Sequence, residues 1–275
     1  MDLKLLLGLV LITQISFSQK KVNDLKKMNL KGEISSITIL EEKTPTVSDG
    51  GSFNSRKENN FYVFNKEGFI TEEKCVVNGR FYSKKRKEYN ALGQLSKVQE
   101  YDSEEVFDKD KFFEYKYDKN GEVNSLSYAS SPTIYRTEVA KKGNLISYTK
   151  YELKEDKTEE KKYVRIEDLN GKVLEEDSFI RNELYSKTVN SYNNKGLLSK
   201  TSYLEYWNGR TSGNGKEFEY NLNNDITKIT NLDSNNNVLD TEEVTYEYDK
   251  KGNWIKKNLS GSETIITERK IVYKI

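Results

Sequence analysis

One short string, Tyr-Asn/Asp-x-x-Gly, recurs along this chain at a nearly fixed interval and leaves few folds open. It stands at Tyr89-Asn90 before Gly93, Tyr117-Asp118 before Gly121, Tyr192-Asn193 before Gly196 and Tyr248-Asp249 before Gly252, with Phe64-Asn65 before Gly68 as a near copy. Looser copies are centred on Gly32, Gly143 and Gly171. Gly196 and Gly252 are 56 residues apart, twice 28, so a further copy belongs at 224. There Tyr220 and Asn221 precede Asn224, and Ile226 follows. Asn is the non-glycine residue that best tolerates the left-handed region, so this column requires positive φ. Asn or Asp opening a type I turn, with a left-handed residue closing it, is a common hairpin connection.

The strand entering each turn alternates with period two. Phe113, Tyr115 and Tyr117 share one face against Glu114 and Lys116, and Val244, Tyr246 and Tyr248 repeat this against Thr245 and Glu247. Such alternation marks strands with one aromatic and one charged face. After the turn, apolar residues fall two, five and eight places past the glycine, as in Leu95, Val98 and Tyr101. A bulge that restores the face accounts for that spacing. The expected fold is all-β: an antiparallel meander of about nine hairpins over residues 19–275, forming one elongated, curled sheet or solenoid with its aromatic face inside. Two segments interrupt the pattern. Glu41–Asn60 reads as a polar loop insertion, and Tyr206–Gly215 places aromatics beside a flexible turn.

Tyr117-Asp118-Lys119-Asn120-Gly121, Tyr192-Asn193-Asn194-Lys195-Gly196 and Tyr248-Asp249-Lys250-Lys251-Gly252 resemble the YD repeat of the RHS family, over most of residues 28–260. Asn78-Gly79-Arg80-Phe81-Tyr82 gives a looser likeness to MORN-type repeats. The RHS resemblance implies hairpins wound into a sheet. Large members form a hollow shell around a toxin, but nine copies are too few for a large shell, and nothing after the last repeat resembles a toxin cargo.

Leu5–Ile12 is an apolar run after Lys4, followed by Ser16-Phe17-Ser18, which fits a signal peptide over residues 1–18. The run is shorter than the ~20 apolar residues of a spanning helix, and no cysteine follows it to take a lipid anchor. An exported protein, periplasmic or extracellular, is expected, with no membrane span. Its one cysteine, Cys75, reads as an apolar filler. Net charge is +1 and charges of both signs are interspersed, so no basic stripe points to nucleic acid. An outer-membrane barrel conflicts with the charged strand face.

Histidine is absent, which removes Ser-His-Asp and Cys-His catalysis and most zinc sites. Asp233–Asn237 begins like a calcium loop, but Val238 stands where glycine is required and Val244 where glutamate is required, so a turn is expected. No cofactor is expected. The functional reading is a non-enzymatic scaffold that binds a glycan, peptide or partner protein through a sheet face, with Tyr203, Tyr206, Trp207 and Trp254 as candidate contacts. Trp254 also fits the apolar column and hence the core. The alternatives are a carboxylate-dependent glycan hydrolase, which needs two carboxyl groups roughly 5–9.5 Å apart, and a small accessory protein of a toxin or surface system.

Overall fold

The structure, a computed structural model of the chain, describes residues 22–45, 56–102, 106–128, 131–261 and 263–274. The signal-peptide segment lies outside the described residues. A short helix, α1 (Asp24–Lys27), precedes eighteen strands. The first nine are β1 (Ile34–Pro45), β2 (Arg56–Phe64), β3 (Ile70–Val77), β4 (Arg80–Tyr89), β5 (Leu95–Tyr101), β6 (Phe107–Tyr117), β7 (Val123–Tyr128), β8 (Ser131–Lys142) and β9 (Leu145–Leu153). Next come β10 (Glu159–Asp168), β11 (Val173–Ile180), β12 (Glu183–Tyr192), β13 (Leu198–Trp207), β14 (Arg210–Tyr220) and β15 (Ile226–Asp233). The last are β16 (Val238–Tyr248), β17 (Trp254–Ser260) and β18 (Glu263–Tyr273).

Each strand pairs antiparallel with its sequence neighbours, and β1 also pairs with β18 from Ile34↔Tyr273 to Pro45↔Glu263. The sheet is therefore a closed barrel. The open sheet or solenoid expected from the sequence is corrected here. The twist between neighbouring strands accumulates around the sheet, and pairing the last edge to the first removes both exposed edges.

Seven turns on one rim share one hydrogen-bond pattern. In each, the Asn or Asp carboxamide or carboxylate Oδ1 accepts from the backbone N–H groups two and four residues on. For Asn193 the donors are Lys195 and Leu197, both at 3.0 Å; for Asp249 they are Lys251 and Asn253, both at 2.9 Å. Asn65, Asn90, Asp118, Asp168 and Asn221 do the same. Asn224 has φ +66°, as the spacing argument required. Asp233 builds the same turn on the opposite rim, accepting from Asn235 and Asn237. Two copies differ. Gly143 sits in a tight turn between the paired Lys142 and Leu145, and Gly32 lies ahead of β1 at the seam; both keep positive φ.

The tyrosine column has a structural cause beyond packing. Tyr89, Tyr117, Tyr192 and Tyr220 each donate a hydroxyl hydrogen bond to the carbonyl of the residue two past the preceding glycine: Ile70 (2.9 Å), Leu95 (2.5 Å), Val173 (2.9 Å) and Leu198 (2.7 Å). In the next copy Tyr246, not the motif's Tyr248, reaches Ile226 at 2.7 Å. Each hairpin is thereby fastened to the one before it.

The register places a bulge immediately after the second post-glycine position, for instance between Tyr89↔Leu95 and Glu88↔Lys97. Leu95 and Val98 thus face the same side, but Tyr101, at the eighth place, opposes Lys84 on the other side. One bulge restores the face once, so Tyr101 is corrected to outward, while Leu232 at the same place in its repeat is buried. The supposed insertion at Glu41–Asn60 also contracts, since β1 runs to Pro45 and β2 starts at Arg56. Likewise Arg210–Gly215 continues as β14 after an Asn208-Gly209 turn.

Burial follows the alternation. On β18, Ile265, Thr267, Arg269, Ile271 and Tyr273 are covered, while Ile266, Glu268, Lys270 and Val272 are exposed. The covered face carries the motif aromatics and lines the inside. The packed core lies at the seam, where Leu30, Ile34, Ile37, Phe64 and Ile70 meet beneath the segment that carries α1. That segment also joins three turns. Asn29 Nδ2 donates to Asn223 O and Asp225 Oδ1, the Leu25 N–H donates to Gly68 O, and Lys31 exchanges hydrogen bonds with Asn253.

Candidate functional site

The four aromatic residues nominated from the sequence do not converge. Trp254 is 9% exposed and belongs to the interior, with its ring 6.1 Å from that of Tyr246 and the Arg269 guanidinium 3.3 Å from its centre. Trp207 is 60% exposed on the rim opposite the motif turns, edge-on to Tyr185 at 6.1 Å. Tyr203 and Tyr206 both sit on β13, an odd number of residues apart, and so point to opposite faces. No shared surface joins them.

The interior provides a different site. A ring of eighteen strands spaced about 4.8 Å apart measures at least about 86 Å around, wider than one layer of side chains fills everywhere. Between β6 and β10 a cavity of about 390 Å³ remains, lined by Tyr115, Val123, Leu126, Tyr135, Lys150, Glu152 and Lys162. This size falls in the ordinary range for small-molecule sites. The register explains the convergence: Tyr115 opposes Leu126, Tyr135 opposes Glu152, and Lys150 opposes Thr137, all on the inner face.

Its electrostatics are uneven. Glu152 accepts from Lys154 at 2.6 Å and pairs with Lys162 at 3.0 Å, and these hydrogen bonds hold its carboxyl below the usual range. Lys162 is committed further to Glu160 at 2.7 Å, which keeps its ammonium charged. Lys150 differs. It stands 5.1 Å from the Tyr135 ring centre, no ion pair is formed by its ammonium among the described residues, and burial pushes its pKa down. Burial also raises the Tyr115 and Tyr135 phenols, so both remain neutral donors. The cavity therefore offers apolar walls, two aromatic faces, the Glu152–Lys162 pair and one amine that forms no direct ion pair among the described residues.

Carboxylate chemistry fits poorly here. Glu152 is held ionised and does not serve as a general acid, and Glu160 beside it is lowered to about 2 by Lys162, Lys154 and the Arg181 N–H. Among the described residues, no cluster of His, Cys, Asp or Glu could hold a metal. Cys75 is half-buried, and burial followed by the nearby Glu58 charge raises its thiol, which disfavours the thiolate.

Ile146, Tyr148, Lys150 and Glu152 alternate along β9 and share the inner face, but the sequence did not single out Lys150 or Glu152 as site residues.

No family model matches this sequence, and no curated protein does. Among solved structures, a porin-like protein from Bacteroides uniformis is similar, with TM-score 0.44 and 11% identity over 86% of this chain and 97% of that one. A Photorhabdus luminescens Tc holotoxin pore structure gives TM-score 0.34 and 13% identity over 83% of this chain, which spans only 14% of that one. A LolA superfamily protein from Nitrosomonas europaea gives TM-score 0.19 and 10% identity over 91% and 92%. At such low scores and identities none of them lends this chain a function.

Proposed function

We propose that this chain is an exported barrel of YD-like hairpins that acts by binding, and that its ligand is a small amphipathic molecule held against the inner sheet face. The observation that carries this reading is the cavity of about 390 Å³ where Tyr115, Tyr135, Val123 and Leu126 surround the Lys150 amine. An aromatic wall favours rings or acyl segments, and the amine favours an acidic head. Glycan or peptide capture through Trp207 lacks the convergence of partners that a specific site requires.

The outer surface supports a barrel that works in water. Glu217, Glu219, Glu243, Glu247, Glu268 and Lys270 are exposed strand residues. Charged residues on a lipid-facing strand destabilise by up to ~2–4 kcal/mol each at the bilayer midplane. No described helix is long and apolar enough to cross a membrane. Export rests on the apolar Leu5–Ile12 segment.

The test is titration with an anilinonaphthalene sulfonate dye, which pairs an aromatic body with an anionic head. The wild-type chain should bind it saturably. Leu126→Trp fills the cavity and should weaken binding at least tenfold, while Trp207→Ala should leave it unchanged. Circular dichroism and the unfolding midpoint confirm that each variant remains folded. Equal dye affinity in Leu126→Trp and wild type would remove the cavity as the binding site.

A further inference from the structure

Across the ring from that cavity, the wall formed by β17, β18 and β1 carries a second arrangement that packing does not explain. Arg269 and Thr267 are inward neighbours on β18, two residues apart. The register sets Lys257 of β17 opposite Thr267, with Glu41 of β1 on its other side and Ile39 opposite Arg269. Trp254 forms the floor: the Arg269 guanidinium is 3.3 Å from one of its ring centres and the Lys257 ammonium 5.8 Å.

The polar atoms of this group are buried and unmatched. Arg269 Nε and Nη1 and the Thr267 hydroxyl are all sealed from solvent, and none has a hydrogen-bond partner in the protein. Buried guanidinium N–H groups without an acceptor are costly, and native structures almost always supply one. Nearby anions are otherwise engaged. Glu41 pairs with Lys43 at 3.4 Å, and Asp225 accepts from Asn29 (3.0 Å) and from Tyr248 (2.9 Å). Tyr62 and Tyr246, the other titratable groups that face Arg269, are neutral phenols with raised pKa values. Two inward cations thus share a wall whose carboxylates, Glu41 and Asp225, act on them through space while their direct contacts go to other partners.

We propose that Arg269, Thr267 and Lys257 form an internal site for one small anion, seated beside the Trp254 ring. The chemistry it selects is a single negative charge with acceptor lone pairs, supplied either by a free inorganic ion or by the acidic head of an organic ligand. An occupant would give the guanidinium and the hydroxyl the acceptor they lack. The lowered basicity of both cations, caused first by burial, is only partly offset by Asp225 at Arg269 and Glu41 at Lys257. This inference is independent of the β6–β10 cavity, because the two share no residue.

Trp254 makes the site readable. In a Trp207→Phe chain, Trp254 is the sole tryptophan, since the sequence contains two. Iodide, an anionic quencher, and acrylamide, a neutral one, are compared at constant ionic strength. The site predicts saturable iodide quenching, with acrylamide ineffective against this buried ring. Non-quenching chloride should relieve the iodide effect. Octanoate competing at least tenfold better than acetate would assign the site to the head of an organic acid, and equal competition would assign it to a free ion. Arg269→Met should abolish saturable quenching. Thr267→Val, a near-isosteric change, should weaken it several-fold and serves if the arginine variant does not fold. Iodide quenching that is absent, or linear and no stronger than acrylamide quenching, would overturn the proposal, as would saturable quenching that survives Thr267→Val unchanged.

Discussion

Closure of the ring depends on a seam whose strength can be measured at Asn253. This residue is 1% exposed and makes three side-chain hydrogen bonds. Its Oδ1 accepts from the Lys31 N–H at 2.7 Å, and its Nδ2 donates to the Lys31 carbonyl and to the Tyr273 hydroxyl, both at 2.8 Å. It thus ties the segment preceding β1 to the β16–β17 turn and to the end of β18. At a net ~0.5–1.5 kcal/mol each, three bonds stabilise by about 1.5–4.5 kcal/mol. Asn253→Ala should therefore cost about 3 kcal/mol, roughly a hundredfold in the folding equilibrium and a large share of a typical ~5–15 kcal/mol. Asn193→Ala is the control. It removes an acceptor from two turn N–H groups at an outer rim, where water replaces it, and should cost about 1 kcal/mol.

Urea unfolding gives both values. Hydrogen exchange adds the spatial test, because opening at the seam should accelerate amides of β1 and β18 before those of β8 to β10 on the far side. A loss below about 0.5 kcal/mol for Asn253→Ala, on the same hydrogen-bond scale, would refute the seam argument. So would exchange that quickens uniformly around the barrel.

Two further outcomes follow from the rim. Gly93 has φ +74°, and a Cβ there would stand 2.5 Å from the Phe69 ring, whereas Gly143 has φ +59° and open space around it. Ala at Gly143 should cost only the left-handed penalty of roughly 1–2 kcal/mol, and Ala at Gly93 about 1–3 kcal/mol more by overpacking, measured by thermal or urea unfolding. The Tyr117 phenol is pushed up to about 12, chiefly by burial. Its folded pKa exceeds its ordinary value of about 10, so its stabilisation is complete below pH ~10 and is lost as pH rises through about 12. Tyr117→Phe should therefore flatten the stability profile in that alkaline window, and an unchanged slope would contradict the burial assigned to this hydroxyl.

Much of the local architecture was legible in particular residues. Asn224 betrayed the positive-φ column by occupying it without being glycine, and Asn193 or Asp249 announced a side-chain acceptor for the turn. Phe113, Tyr115 and Tyr117 disclosed an inward face by alternation alone. The bulge after Leu95 was legible as well, but not that Tyr101 falls outside its reach, because a single inserted residue shifts every later position equally. Trp254 stood in the apolar column and Trp207 beside a turn, and the structure puts the first in a buried cluster and the second on a rim. The site residues Lys150, Arg269 and Thr267 carried little signal, since each is an ordinary strand residue until neighbouring strands are set beside it.

By itself the sequence determined the hairpin: its turn, its aromatic face and the repetition of both. These rest on φ preferences, on side-chain acceptors within four residues and on period-two alternation, all of them local. Tertiary structure alone decided that β18 returns to β1, because closure sums the twist of eighteen strands and joins residues more than two hundred positions apart. The same closure turns one face of the Tyr-Asn/Asp-x-x-Gly sheet into an interior, and only inside that interior do Lys150 and Arg269 acquire surroundings that call for a ligand.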